Sequence, residues 1–128
     1  MRTITLFIPI MPPSTNSIYA GVHWTKRKRE ADRVHQYVAH VASEMGLKPF
    51  SRAVHISMTP SLGKGARARD CSNYSYAAKL IEDGLVGAGV IQGDEADKVL
   101  SMTIKAPTVD RKAASGLWVT ITECEAAA

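Results

Sequence analysis

VHISMTPSLGKGARARDCSNYSYAAKLIEDGLVGAGVIQGDEADKVLSMTIK, Val54 to Lys105, runs from one strand pattern through a helix to another. Val54, Ile56 and Met58 alternate with His55 and Ser57, the period-two signature of a half-buried strand. SLGKGARAR follows; it is basic, contains glycine and lacks periodicity, which predicts a mobile loop. From Asn73 to about Val86, the residues Tyr74, Ala77, Ala78, Ile81 and Leu85 gather on one side of a helix. Gly87 and Gly89 end it. An acidic cluster, Asp94, Glu95 and Asp97, then precedes a strand pattern from Val99 to Lys105.

Outward from this stretch, Thr3 to Ile10 alternates as a strand, and Pro9, Pro12 and Pro13 close it and stiffen PPSTNSIY. Gly21 to Thr25 reads as loop, with Thr25 as N-cap of a long helix from about Lys26 to Met45. Its stripe is Ala31, Val34, Val38, Val41 and Met45, and Gly46 is the stop. A polar loop with Asp110, Arg111 and Lys112 leads to a last strand, Leu117 to Thr122, and the tail EAAA is expected to fray. Strands and helices mix without a regular βαβ rhythm. The expectation is a single α+β domain over residues 1–128, a two-layer sandwich with a mixed β-sheet of about four strands and two main helices.

A chain of 128 residues, 45% hydrophobic and 22% charged, suits one soluble domain with a modest core. No apolar run reaches membrane-spanning length, so no membrane partner is expected. MRTITLFIPIMPP lacks the apolar core and cleavage site of a signal peptide, so the default location is cytoplasmic. Cys71 and Cys124 have no metal-ligand spacing and read as free thiols. The net charge of +4 divides into +8 over residues 1–69 and −4 over residues 70–128. A basic half suits a polyanion and an acidic half suits cations, although a solvated surface gives the same count.

Asp70 precedes a helix, where a short carboxylate can simply cap it. Yet Ser72 or Asn73 could cap equally well, and Lys64, Arg67 and Arg69 lie just upstream. Asp94, Glu95 and Asp97 read either as a solvated loop or as oxygen ligands for a hard cation, provided the chain doubles back. Lys26, Arg27, Lys28 and Arg29 form a charge run at a helix start, where they oppose the helix dipole. That cost is understandable if they meet phosphates. Tyr19 and Trp24 nearby are expected to pack, and His35 and His40 to lie on the surface.

PPSTNSIY and RDCSNYSYAAKLIEDGLVGAGVIQGDE together resemble the motifs of the RusA-like crossover junction endodeoxyribonucleases, common in phages and prophages. The resemblance runs from Pro12 to Glu123. It implies a homodimer that binds branched DNA, resolving four-way (Holliday) junctions by phosphodiester hydrolysis with Mg, or with Mn in its place. Asp70, Asn73, Asp83, Gly84 and Asp94 match signature positions. Ser72 stands where the signature has a second Asp, and Tyr76 where it has Lys. The resemblance therefore implies metal ligation by Asp70, Asp94, Ser72 and Glu95, with Glu95 replacing the missing carboxylate. Asp70, Asp94 and Lys79 are the expected catalytic set, Lys79 standing in for the absent Lys. Lys26, Arg27, Lys28, Arg29, Lys64, Arg67, Arg69, Asn16 and Asn73 are the expected DNA contacts. The alternative reading is a junction-binding protein that has lost cleavage through Ser72 and Tyr76.

Overall fold

The computed structural model describes residues 1–125. The frayed tail expected at EAAA falls largely outside them. Five strands form one mixed sheet: β1 (Thr3–Ile8), β2 (Val54–Leu62), β3 (Val99–Ile104), β4 (Thr108–Val109) and β5 (Gly116–Glu123). Three helices accompany it: α1 (Thr15–Tyr19), α2 (Trp24–Glu44) and α3 (Ser75–Gly87). The main sheet order is β1-β5-β2-β3, with β4 also paired to β2. β5 runs antiparallel to both β1 and β2, whereas β3 and β4 run parallel to β2. Parallel strands need a crossover, and α3 supplies it between β2 and β3.

The architecture is an α+β sandwich. α2 and α3 cover one sheet face, and the core between the layers holds Leu6, Ile8, Ile56, Met58, Val119 and Ile121 from the strands. Val34, Val38, Ala77, Ile81 and Leu85 meet them from the helices. Each fully buried aliphatic side chain here stabilises the fold by about 1.5–3 kcal/mol. The opposite face is rich in hydroxyls: Thr3 pairs with Thr122, and Thr5 with Thr120 at 3.0 Å between hydroxyls. Phe7 and Trp118 pack at one end of that face, ring centroids 4.8 Å apart.

Gly84 is what lets α3 approach α2. A β-carbon there would lie 3.1–3.2 Å from Val38 and 3.4 Å from His35. Both helices end in the same turn. Gly46 (φ 61°) and Gly89 (φ 74°) take the left-handed conformation, and Leu47 and Val90 donate N–H back to Ala42 and Leu85.

Several boundaries differ from the sequence reading. α2 begins at Trp24, and its cap is His23, not Thr25; His23 Nδ1 accepts the Thr25 N–H at 3.2 Å. Met45 lies outside the buried stripe, 46% exposed. Tyr19 and Trp24 do not pack: they are 82% and 62% exposed. His35 is half-buried, and its Nε2 is enclosed without a hydrogen-bond partner. The helix expected from Asn73 is a 3₁₀ turn, Cys71–Tyr74, leading into α3.

β2 also continues through Pro60, Ser61 and Leu62 into what reads as loop. Met58 and Leu62 both turn their carbonyls toward the β3–β4 side, accepting from Lys105 N–H and Asp110 N–H. Pro60, of the same parity, therefore directs its missing N–H into the gap between β3 and β4, where no ladder bond is lost.

Candidate nucleic-acid interface and carboxylate cluster

The two motif segments meet at the start of α3. Tyr74 occupies the cap position of α3 but makes no side-chain cap bond. Thr15 supplies the cap instead, from 61 residues earlier: its Oγ1 accepts the Tyr76 N–H at 3.0 Å. The same oxygen lies 2.9 Å from Ser75 Oγ and 3.2 Å from the Asn73 carbonyl. Ser75 Oγ donates to the Ser72 carbonyl at 2.8 Å, so the single Thr15 proton serves Ser75 Oγ and the Asn73 carbonyl in turn. Thr15 is itself held by α1, which Ser14 caps by accepting the Ser17 N–H at 3.3 Å. Asn16, beside it, is exposed.

Asp70 stands at the head of the 3₁₀ turn with an exposed side chain that makes no cap bond. Ser72 is exposed on the same turn, and Asn73 is half-buried. Thr15, rather than Asp70, Ser72 or Asn73, does the capping that these residue types suggest.

Just upstream, a cleft of about 330 Å³ separates the Pro12–Pro13 segment from the basic loop. Leu62 and Tyr74 floor it, while Arg67, Arg69, Ser14 and Ser17 bring polar groups to its lining. Arg69 N–H donates to the Tyr74 hydroxyl at 3.2 Å. Among the described residues neither Arg67 nor Arg69 has an ion-pair partner. Lys64 is exposed on the same loop.

The loop expected to be mobile is tied down. Arg111 Nη1 donates to the Gly63 and Ala66 carbonyls at 2.6 and 2.7 Å, and Gly63 N–H donates to Ser115 Oγ at 2.8 Å.

The acidic residues gather elsewhere. Lys79 Nζ lies 3.0 Å from Asp83, 3.1 Å from Asp94 and 3.7 Å from Glu82. Ligand atoms of Glu82, Asp83 and Asp94 lie within 4.8 Å of one another. Among the described residues, this is the one such group of three, and Asp70 is not part of it. Glu95 also stands apart; its carboxylate folds back over Gly93. Hydrogen bonds to Asp83 and then Asp94 raise the Lys79 pKa well above the usual lysine value, so the ammonium stays charged. Burial raises the Glu82 pKa against the opposing pull of Lys79. Lys79 is thus committed to carboxylates rather than free to face a phosphate. Three hard oxygen donors suit a divalent cation such as Mg²⁺ or Mn²⁺, but the Lys79 ammonium competes for the same oxygens.

At the head of α2, Lys26, Arg27, Lys28 and Arg29 are all exposed. Lys28 pairs with Asp32 at 3.0 Å, an exposed i,i+4 contact worth a few tenths of a kcal/mol. The start of α2 faces α3: burial, and next the charge of Glu30, raise the Tyr76 pKa, while Arg27 lowers it. Tyr76, standing where the signature has Lys, is a half-buried contact between the helices.

Sequence reasoning missed Thr15, Arg111 and Glu82. Glu82 was detectable, because it and Asp83 follow Lys79 at the i,i+3 and i,i+4 spacings that meet on a helix surface. Thr15 and Arg111 carry no local signal; each acts on a segment more than 40 residues away. No family model matches the chain, and no curated protein matches it.

Proposed function

We propose that this chain is a magnesium-dependent, structure-specific endodeoxyribonuclease that acts on four-way DNA junctions, as its resemblance to the RusA-like enzymes implies. One observation carries the reading. The Thr15 hydroxyl joins the two motif segments at the start of α3, beside exposed Asp70 and a cleft with two unpaired arginines. Arg67 and Arg69 bind phosphate oxygens there; such contacts fix position without reading sequence. Bound Mg²⁺ would supply a polarised phosphate and an acidified water. Asp94 with Asp83 would hold the cation, and Asp70, which stands outside their group, would take the proton of the attacking water. A twofold dimer matches the twofold symmetry of a junction and presents one site to each of two opposed strands.

A second reading, junction binding without cleavage, is favoured by Lys79. Its ammonium already neutralises Asp83 and Asp94, Asp70 stands outside their group, and Ser72 brings no charge. Incubating the chain with a labelled four-way junction and Mg²⁺ or Mn²⁺ separates the two. Nicks placed symmetrically near the crossing point are expected from the nuclease, and binding without nicks establishes the second reading. Asp70→Asn is expected to abolish nicking while binding stays intact or tightens, because a negative charge near phosphate is removed. Undiminished nicking by that variant would move the chemistry away from Asp70.

A further inference from the structure

We propose that Tyr19 and Trp24 form a stacking platform for unpaired nucleotides, whose phosphates are held by the cations at the start of α2. The inference rests on the DNA-binding reading above but uses a different surface. Tyr19 and Trp24 are 82% and 62% exposed, and neither belongs to the hydrophobic core. Trp24 is also pre-oriented. It stacks on His23, ring centroids 5.8 Å apart and planes 30° apart, and His23 is fixed as the cap of α2.

Lys26, Arg27, Lys28 and Arg29 follow Trp24 directly in the first turns of α2, with Arg33 one turn further along. Their charge sits at the positive end of the helix dipole, the same unfavourable placement, which bound phosphate relieves. Glu30 and Asp32 are the acidic side chains on this part of α2, and of its five cations only Lys28 has a salt-bridge partner among the described residues, Asp32. Lys26, Arg29 and Arg33 line a shallow depression of about 270 Å³ together with Glu30.

Such a surface needs an occupant with both anionic groups and flat apolar faces. An acidic peptide supplies only the first, and a second copy of this patch would bring like charge against like charge. A duplex supplies phosphates but hides its base faces. Unpaired nucleotides supply both, and base–aromatic stacking tolerates any sequence.

The test is a Trp fluorescence titration of the intact chain with a short oligothymidylate, a matched duplex and a four-way junction. Trp24→Phe serves as the variant in which only Trp118 reports. Oligothymidylate is expected to quench Trp24 and leave Trp24→Phe silent. Trp24→Ala is expected to weaken oligothymidylate binding about tenfold, while Trp24→Phe, which keeps a ring, retains most of the affinity. Arg27→Gln is expected to lower the salt slope by about 0.7, the value for one phosphate contact on a single strand. Oligothymidylate binding that leaves Trp24 unchanged overturns the proposal. So does equal quenching by the duplex, by anionic phospholipid vesicles, or by raising the protein concentration alone. Junction binding with Trp24 silent defeats this inference and spares the junction reading. Quenching by oligothymidylate with no preference for the junction does the reverse.

Discussion

Thr15→Ala removes the hydroxyl and the γ-methyl group and, with the hydroxyl, the cap of a helix that begins 60 residues later. The hydroxyl accepts from Tyr76 N–H at 3.0 Å and touches Ser75 Oγ and the Asn73 carbonyl at 2.9 and 3.2 Å. Loss of a cap bond costs about 1 kcal/mol. The other two interactions add about 0.5 kcal/mol between them, because Ser75 is exposed and water replaces Thr15 there. A total of about 1.5 kcal/mol follows. For a chain of 128 residues, the unfolding entropy is about 0.27 kcal/mol/K, so Tm is expected to fall by about 5–6 °C. Thermal and urea denaturation measure this directly. Thr15→Ser keeps the oxygen and loses only the methyl group, so it is expected to recover most of the loss. The reasoning is refuted if Thr15→Ala stays within about 0.3 kcal/mol of the wild type, or if Thr15→Ser is equally destabilised. The latter would mean that packing of the methyl group, rather than capping, holds the two segments together.

Arg111→Ala frees the Gly63 and Ala66 carbonyls of the basic loop, and duplex binding is expected to weaken, with a salt slope shallower by about 0.9 for each phosphate that the loop no longer neutralises. An unchanged slope would show that Arg67 and Arg69 do not depend on that anchor. Lys79→Ala removes the ammonium from among Glu82, Asp83 and Asp94, and calorimetry is expected to show Mn²⁺ binding tighter than in the wild type. Glu82→Gln tests the raised carboxyl pKa. A raised folded value favours protonation, so its stabilising share is present at low pH and lost as pH rises through the folded value. Thermal melts are therefore expected to show Glu82→Gln gaining on the wild type as pH rises above the ordinary carboxylate value, and a change in the opposite direction would make the Lys79 contact dominant over burial.

The long elements were legible because their periodicity reflects burial. Val54, Ile56 and Met58 are buried with exposed or half-buried neighbours, and Val34 and Val38 lie on the stripe that faces the core. Short elements were not, because tertiary partners make them. α1 has five residues, too few to be stable alone, and is held by the Ser14 cap and the Thr15 hydrogen bonds. β4 has two residues and exists through pairing with Ser61 and Leu62. Pro60 argues locally against a strand, and only the gap between β3 and β4 makes it acceptable. In the candidate site, Asp94 and Lys79 were both singled out from the sequence, but their direct pairing was not. An ion pair between residues 15 positions apart depends on how the turn after α3 folds back, which no local pattern encodes.

The pairing of β1 with β5 sets an order of events during synthesis. Thr3 and Thr122 are partners separated by 119 positions, and among the described residues β5 is the only strand that β1 joins in the sheet. On the ribosome, β1 emerges 119 positions ahead of its partner, so its ladder cannot close until that stretch of chain has been made. Leu6 and Ile8, fully enclosed at the end, stay open to other nascent chains throughout that interval. Closure of this non-local ladder is therefore expected to come later and more slowly than helix formation, and to be the stage most exposed to misassembly.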